Sequence, residues 1–446
     1  MRSTMQEVAG FALMLMVLGT SEAHVSATIV EVSYPPSEKP GELVYGVTYR
    51  AWLPEDVARL RGVIVHQHGC GAGACKGGET AADDLHWQAL ARKWDCALLG
   101  PSYHQEDGQD CSKWFDPRKG SRARFLQALG DLAAKSGHPE LATVPWCLWG
   151  HSGGGSWASL MMVSDPDRIV AVWLRSGTAV AARRGESNPG PEIPEAANRI
   201  PVMCNPGAKE KDDTRFHGVW DNTLAMFRAF RAKGAPIGFA PDPRTSHECG
   251  DSRSLAIPFF DACLAARLPD TSPVISKLKA VDLSHGWLAP VLGTEAVPAA
   301  DFQGDAAETV WLPGERVARA WQEYVRTGAV GDTTRPAAPS GVKAAVAPGR
   351  GMEVTWNAEA DLESGLRQFI IRRDGREVGR VPEQPVGKFG RPLFQAMSYH
   401  DTPERPLPVM RFVDTGAEPG KEHDYRVVAI NGVGLESEPS PAMRAR

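Results

Sequence analysis

The pentapeptide Gly150-His151-Ser152-Gly153-Gly154 lies between two contrasting segments. Before it, Val144-Pro145-Trp146-Cys147-Leu148-Trp149 is apolar and reads as a strand; after it, Gly155-Ser156-Trp157-Ala158-Ser159-Leu160-Met161-Met162 suits a buried helix. A strand that hands over to a helix this abruptly must turn sharply. The turn forces its central residue into a strained backbone conformation, and glycines on both sides relieve the crowding. It also lifts that side chain above the sheet and sets the next N–H at a helix N-terminus. A serine hydroxyl there has what a nucleophile needs. With 45 glycines in 446 residues, the bare G-x-S-x-G pattern constrains little; its setting carries the weight.

A chain of this length holds about two or three domains, each with a core of its own. Hydrophobic residues at 42% and charged residues at 23% fit the soluble globular class. A net charge of −5, with no cluster of lysine or arginine, argues against a nucleic-acid partner. Residues 1–23 read as a secretory signal peptide: Arg2, an apolar run within 10–19, then Ser21-Glu22-Ala23 at a cleavage site. The run is too short to span a bilayer, so no stable membrane insertion is expected after cleavage, and the location is secreted or periplasmic. Eight cysteines all precede residue 264. Cys96, Cys147 and Cys204 fall in core strands, whereas Cys70, Cys75, Cys111 and Cys249 fall in loops and are candidates for bridges in an oxidising compartment. Their pairing is left open. No Cys/His spacing suggests a zinc site, so no metal is expected.

Strand-like stretches at 27–34, 46–53, 62–66, 96–99, 146–149, 169–174, 201–204 and 236–240 alternate with helix-like stretches at 81–94, 122–135, 153–163, 221–233, 252–268 and 315–326. This alternation predicts a doubly wound, mostly parallel sheet over residues 24–330, with an antiparallel start because no helix separates the first two strands. Residues 331–341 are rich in proline and small polar residues and read as a linker. Beyond it, residues 342–446 read as all-β. Gly351 to Trp356 alternates toward a core tryptophan, 368–378 reads as a hairpin around Asp374-Gly375, and Tyr425-Arg426-Val427-Val428-Ala429-Ile430-Asn431 alternates again. The tryptophan strand and the Tyr-x-Val-x-Ala-x-Asn segment resemble a fibronectin type III sandwich. Residues 382–411 read as a loop inserted into it.

Residues 62–155 resemble the α/β-hydrolase fold, close to secreted carboxylesterases of the polyhydroxybutyrate-depolymerase or feruloyl-esterase kind. The resemblance rests on the pentapeptide at 150–154 and on Gly62-Val63-Ile64-Val65-His66-Gln67-His68-Gly69-Cys70-Gly71, a strand that ends in His-Gly-Cys. It implies Ser152 as nucleophile, with the N–H groups of Cys70 and Gly153 as the oxyanion hole. Fixed amide dipoles stabilise a tetrahedral oxyanion without reorganising. The fold orders its triad as serine, acid, histidine. His247 follows the last core strand and is preferred to His285, which has no clear strand before it. Glu210, after the strand at 201–204, is the preferred acid, with Asp213 as the alternative. Tyr103, His104 and Trp114 are assigned to substrate binding, and Trp87 and Phe115 are further aromatic candidates. The implied chemistry is cleavage of a small or polymeric ester through an acyl-enzyme, without a cofactor. A serine peptidase on the same fold and a catalytically silent adhesion protein are the rival readings. The C-terminal module would contact polysaccharide or a surface.

Overall fold

The structure is a computed structural model that describes residues 28–55, 57–180, 191–269, 277–387 and 391–446. The segment read as a signal peptide lies outside the described residues. Eight strands form the main sheet: β1 (Thr28–Tyr34), β2 (Val47–Leu53), β3 (Gly62–Gln67), β4 (Cys96–Tyr103), β5 (Trp146–His151), β6 (Ile169–Arg175), β7 (Val202–Asn205) and β8 (Ile237–Phe239). Their order is β1-β2-β4-β3-β5-β6-β7-β8. From β4 to β8 each neighbouring pair is parallel, and β2 is antiparallel to both β1 and β4. This mixed sheet with its helices fits the α/β-hydrolase arrangement.

The apolar runs explain the parallel part. β3, β5, β6 and β7 are buried at every position, as strands covered on both faces must be. β1 lies at the sheet edge and exposes alternate residues, among them Glu31 and Ser33. β4 extends to Tyr103, past the expected end at residue 99. Gly100-Pro101 reads locally as a turn, but both residues pair with β2, so the neighbouring strand overrides local preference. A small sheet was not foreseen: β9 (Trp287–Pro290), β10 (Val297–Pro298) and β11 (Thr309–Leu312) pair in the order β10-β9-β11. Strands of two to four residues are too short to show a period.

The C-terminal residues form two antiparallel sheets. One joins β12 (Ser340–Ala347), β13 (Gly351–Asn357) and β16 (Arg411–Asp414); the other joins β14 (Leu366–Arg373), β15 (Arg376–Val381), β17 (His423–Asn431) and β18 (Met443–Ala445). Val354, Trp356, Phe369, Ile371, Tyr425 and Val427 meet in their shared core. Asp374 and Gly375 both have positive φ, as a two-residue hairpin turn requires. The chain leaves β15 at Val381 and returns in β16 at Arg411.

Part of that excursion is bound to the main sheet's helices. Arg253 begins the helix Arg253–Arg267 and is buried. Its guanidinium donates to both Asp84 oxygens at 3.1 and 2.7 Å, to Asp401 Oδ1 at 2.9 Å and to the Asp401 carbonyl at 3.1 Å. Gln395 accepts from Leu85 N–H and donates to the Asp83 carbonyl, both at 2.8 Å. The stretch read as a linker is itself bonded: Asp332 Oδ2 accepts from Ser364 and Asn431. A disulfide joins Cys70 to Cys111, 41 positions apart, while Cys75 and Cys249 remain buried thiols.

Two outcomes follow for stability. Arg253→Met leaves Asp84 and Asp401 buried without their cation, and denaturant unfolding should record a loss of about 3–5 kcal/mol; a loss under about 1 kcal/mol contradicts the account. Cys111→Ser releases the loop constraint, and the expected loss is about 4 kcal/mol under oxidising conditions, with no change when wild type and variant are compared fully reduced.

Candidate active site

Ser152 lies between β5 and the helix Gly153–Ser164, with φ 54° and ψ −118°. A non-glycine residue held there costs about 1–3 kcal/mol, so its surroundings must impose it. Ser152 N–H donates to the Arg175 carbonyl at 2.9 Å, and the Ser152 carbonyl accepts from Ser156 N–H at 3.0 Å. The helix start is pressed onto the sheet. A Cβ at Gly154 would overlap the carbonyl oxygens of Gln67 and His68, and one at Gly177 would overlap the Ser152 carbonyl. Only glycine admits so tight a turn at these two places. Ser152 stays partly exposed.

Ser152 Oγ is 2.9 Å from His247 Nε2, and His247 Nδ1 is 2.7 Å from Glu210 Oε1. His247 sits in the loop after β8, and Glu210 sits on the short turn Ala208–Asp212 after β7. Main-chain bonds stitch the two exits together: Ala208 N–H donates to the Asp242 carbonyl at 2.8 Å, and Lys209 N–H donates to the Thr245 carbonyl at 3.0 Å. Glu210 is fully buried. A carboxylate only accepts, so the imidazole proton sits on Nδ1 and the bare Nε2 faces the hydroxyl. This places a proton acceptor on the serine and a fixed negative charge behind it.

Asp213 is turned elsewhere. It accepts from the N–H groups of Arg215 and Phe216 at 2.8 and 3.1 Å and from Ser246 Oγ at 2.9 Å. Through these bonds it shapes the turn that presents Phe216, whose ring stacks on His247 at 3.8 Å between centroids and 4° between planes. His285 is exposed and pairs with Asp282 at 2.9 Å, within its own turn.

Cys70 and Gly153 come together beside Ser152. A Cβ at Gly153 would lie 3.4 Å from Cys70 N, and one at Gly69 would lie 3.0 Å from Ser152 Cβ. Gly153 is the first residue of its helix, so its N–H has no intrahelical acceptor. The Cys70–Cys111 bridge packs directly on Gly153 and holds the two segments in register.

The substrate-facing assignments of Tyr103 and Trp114 are corrected. Tyr103 and Trp114 are buried and stack on each other with centroids 4.6 Å apart, and Trp114 Nε1 donates to Gln105 at 2.8 Å. They are core aromatics under the loop after β4. His104 is exposed but turns toward β2, where its Nε2 is 3.2 Å from Thr48 Oγ1. Trp87 is likewise packing, edge-on to His66 and Trp149.

Sequence placed Arg175 only in a stretch, 175–178, expected at the mouth of the site, and did not foresee its role or that of His400. Arg175 is buried at the end of β6 and donates to Thr245 Oγ1 at 2.8 Å, to the Ser246 carbonyl at 3.4 Å and to the Glu248 carbonyl. It thereby grips the loop on both sides of His247. An arginine ending an apolar strand was the available signal. His151, the second residue of the pentapeptide, has Nε2 2.7 Å from the His247 carbonyl and Nδ1 2.9 Å from His400 Nδ1. His400 comes from the loop inserted in the C-terminal sandwich, and nothing in its local sequence pointed here. Burial, and then the nearby His400, His247 and Arg175, hold His151 well below the usual imidazole pKa; burial and His247 bring His400 down to about 4. Both rings are therefore neutral near neutral pH.

Among the described residues, no group of three or more His, Cys, Asp and Glu side chains is arranged to hold a metal ion. No helix among them is long and apolar enough to cross a membrane. No known family's sequence profile matches the chain, and no curated protein matches it. Solved structures do resemble parts of it. LpqC, a poly(3-hydroxybutyrate) depolymerase from Bordetella parapertussis, is 15% identical over 55% of this chain and 92% of its own, with a TM-score of 0.36. A ferulic acid esterase is 14% identical over 50% of this chain and 92% of its own, with a TM-score of 0.35. An Fn3-like protein from Clostridium thermocellum is 20% identical over 25% of this chain and 94% of its own, with a TM-score of 0.16.

Proposed function

We propose that this protein is a serine hydrolase that cleaves carboxylic esters through an acyl-enzyme. One observation carries the reading: a partly exposed hydroxyl on a strained turn lies 2.9 Å from an imidazole that is itself 2.7 Å from a buried carboxylate. Strain at a single serine, joined to a base and an orienting acid, is the arrangement that activates a hydroxyl.

The steps follow from the proton positions. His247 Nε2 takes the Ser152 proton as Oγ attacks the ester carbonyl carbon. The oxyanion that forms accepts from the N–H groups of Cys70 and Gly153. Glu210 stabilises the imidazolium without taking its proton, and the Phe216 face adds attraction to that cation. The tetrahedral intermediate collapses, the carbon–oxygen bond to the alcohol breaks, and His247 gives its proton to the leaving oxygen. Water then attacks the acyl-enzyme with His247 as base, releasing the acid and free Ser152. All proton transfers run through one imidazole, and the cycle needs no cofactor.

We read residues 342–446 as a fibronectin type III-like module, supported by its two antiparallel sheets and tryptophan core. Export to an oxidising compartment is supported by the Cys70–Cys111 bridge.

A fluorophosphonate probe should label the wild-type chain at Ser152 and leave Ser152→Ala unlabelled; no labelling of wild type counts against the reading. Esters of p-nitrophenol should turn over faster than peptide anilides, and the reverse order would make the protein a peptidase. Glu210→Gln keeps the shape but removes the charge behind His247, so kcat on the best ester should fall by about 10³–10⁴. Asp213→Asn should cost far less in the same assay.

A further inference from the structure

The C-terminal sandwich sends residues 396–403 to the catalytic side of the main sheet. The geometry there is tightly held. Ser398 N–H donates to the Thr402 carbonyl at 2.7 Å, Asp401 N–H donates to the Ser398 carbonyl at 3.2 Å, and His400 N–H donates to Ser398 Oγ at 3.2 Å. Asp401, next to His400, is clamped by buried Arg253. The Tyr399 carbonyl accepts from Cys249 N–H at 3.4 Å, two residues after His247. The loop is thus anchored on both sides of its histidine.

Proton placement along the histidines is dictated by one acceptor. The His247 carbonyl can only accept, so His151 Nε2 carries the proton that reaches it at 2.7 Å. His151 is neutral, so its Nδ1 is a bare acceptor. His400 Nδ1, 2.9 Å away, must then be the donor. The chain of bonds runs His400 to His151 to the main chain of His247, whose ring faces Ser152.

We propose that this loop is a working part of the active site, with His400 as a positioning residue that holds His247 in place through His151. The inference rests on the serine-hydrolase reading above. His400 reaches the reacting atoms through another ring. Its loss leaves the buried Nδ1 of His151 without a donor, frees that ring to turn, and releases the carbonyl that fixes His247. A base displaced by a fraction of an ångström still binds substrate but accepts the serine proton less well. The C-terminal module therefore contributes to turnover.

The test uses the full chain with p-nitrophenyl esters, with kcat normalised to sites titrated by fluorophosphonate. His400→Phe keeps the ring and removes the donor; kcat should fall about tenfold or more, with KM within about twofold of wild type. His400→Asn, whose amide N–H lies near the position of Nδ1, should recover most of the loss. If His400→Phe does not fold, His400→Gln replaces it with the same expectation, because its amide reaches past Nδ1. A fall in thermal midpoint with unchanged kcat overturns the inference, since the role would be structural only. A rise in KM with unchanged kcat overturns it as well, since His400 would be a substrate contact. Wild-type activity together with a fully active His400→Phe removes this inference alone. A wild-type chain that neither labels nor hydrolyses any ester removes the hydrolase reading and the inference with it.

Discussion

The backbone of Ser152 cannot relax. Its φ of 54° is unfavourable for serine, yet it is held by a bond to Arg175, by the helix that begins at Gly153, and by the close approach of Gly154 to the exit of β3. The rest of the site is arranged around that fixed point. The exit of β3 supplies Cys70, the exit of β7 supplies Glu210, and the exit of β8 supplies His247. These exits face one another because the strands are parallel and adjacent, so their C-terminal ends lie at one edge. A parallel sheet collects residues distant in sequence at that edge, which is where such folds place their chemistry.

Loops at a sheet edge are the softest part of a fold, and a base must be held to a fraction of an ångström. Buried polar groups supply the rigidity. Arg175 binds the loop on both sides of His247, and Asp213 sets the turn that stacks Phe216 on its ring. A buried guanidinium is costly unless it is hydrogen-bonded, and the carbonyls of Asn205, Ser246 and Glu248 accept from the two terminal nitrogens of Arg175. The same logic holds the sandwich in place. Arg253 is enclosed by Asp84 and Asp401, so separating the two layers would strip a buried cation of one partner. The C-terminal module is docked through ions and hydrogen bonds, and one of these reaches His151, the residue before Ser152.

Much of the framework was legible because its signals are local. The apolar runs at 62–66, 146–149 and 169–174 have no alternation, and strands buried on both faces need none. Asp374-Gly375 announces its hairpin through two positive φ values. The serine, the histidine and the acid that meet were each proposed from their position after a strand. Other features left no local trace. The sheet at 287–312 is built of strands too short to show a period. Tyr103 and Trp114 were assigned to substrate binding because they fall in an irregular, cysteine-bearing stretch, 103–119; burial decides that question, and sequence does not report it. Choosing between Glu210 and Asp213, three residues apart, required the direction of each side chain.

Sequence by itself determined the succession of the main sheet's strands and of the longer helices between them, the sharp turn at Ser152 and the composition of a second, all-β unit. These follow from hydrophobic period and turn chemistry, which act over a few residues. Tertiary structure alone decided which carboxylate faces His247, which aromatics are buried, and that His400 stands behind His151 across 249 positions of chain. Such contacts depend on how the inserted loop packs against the main sheet, and packing is settled only when distant surfaces meet.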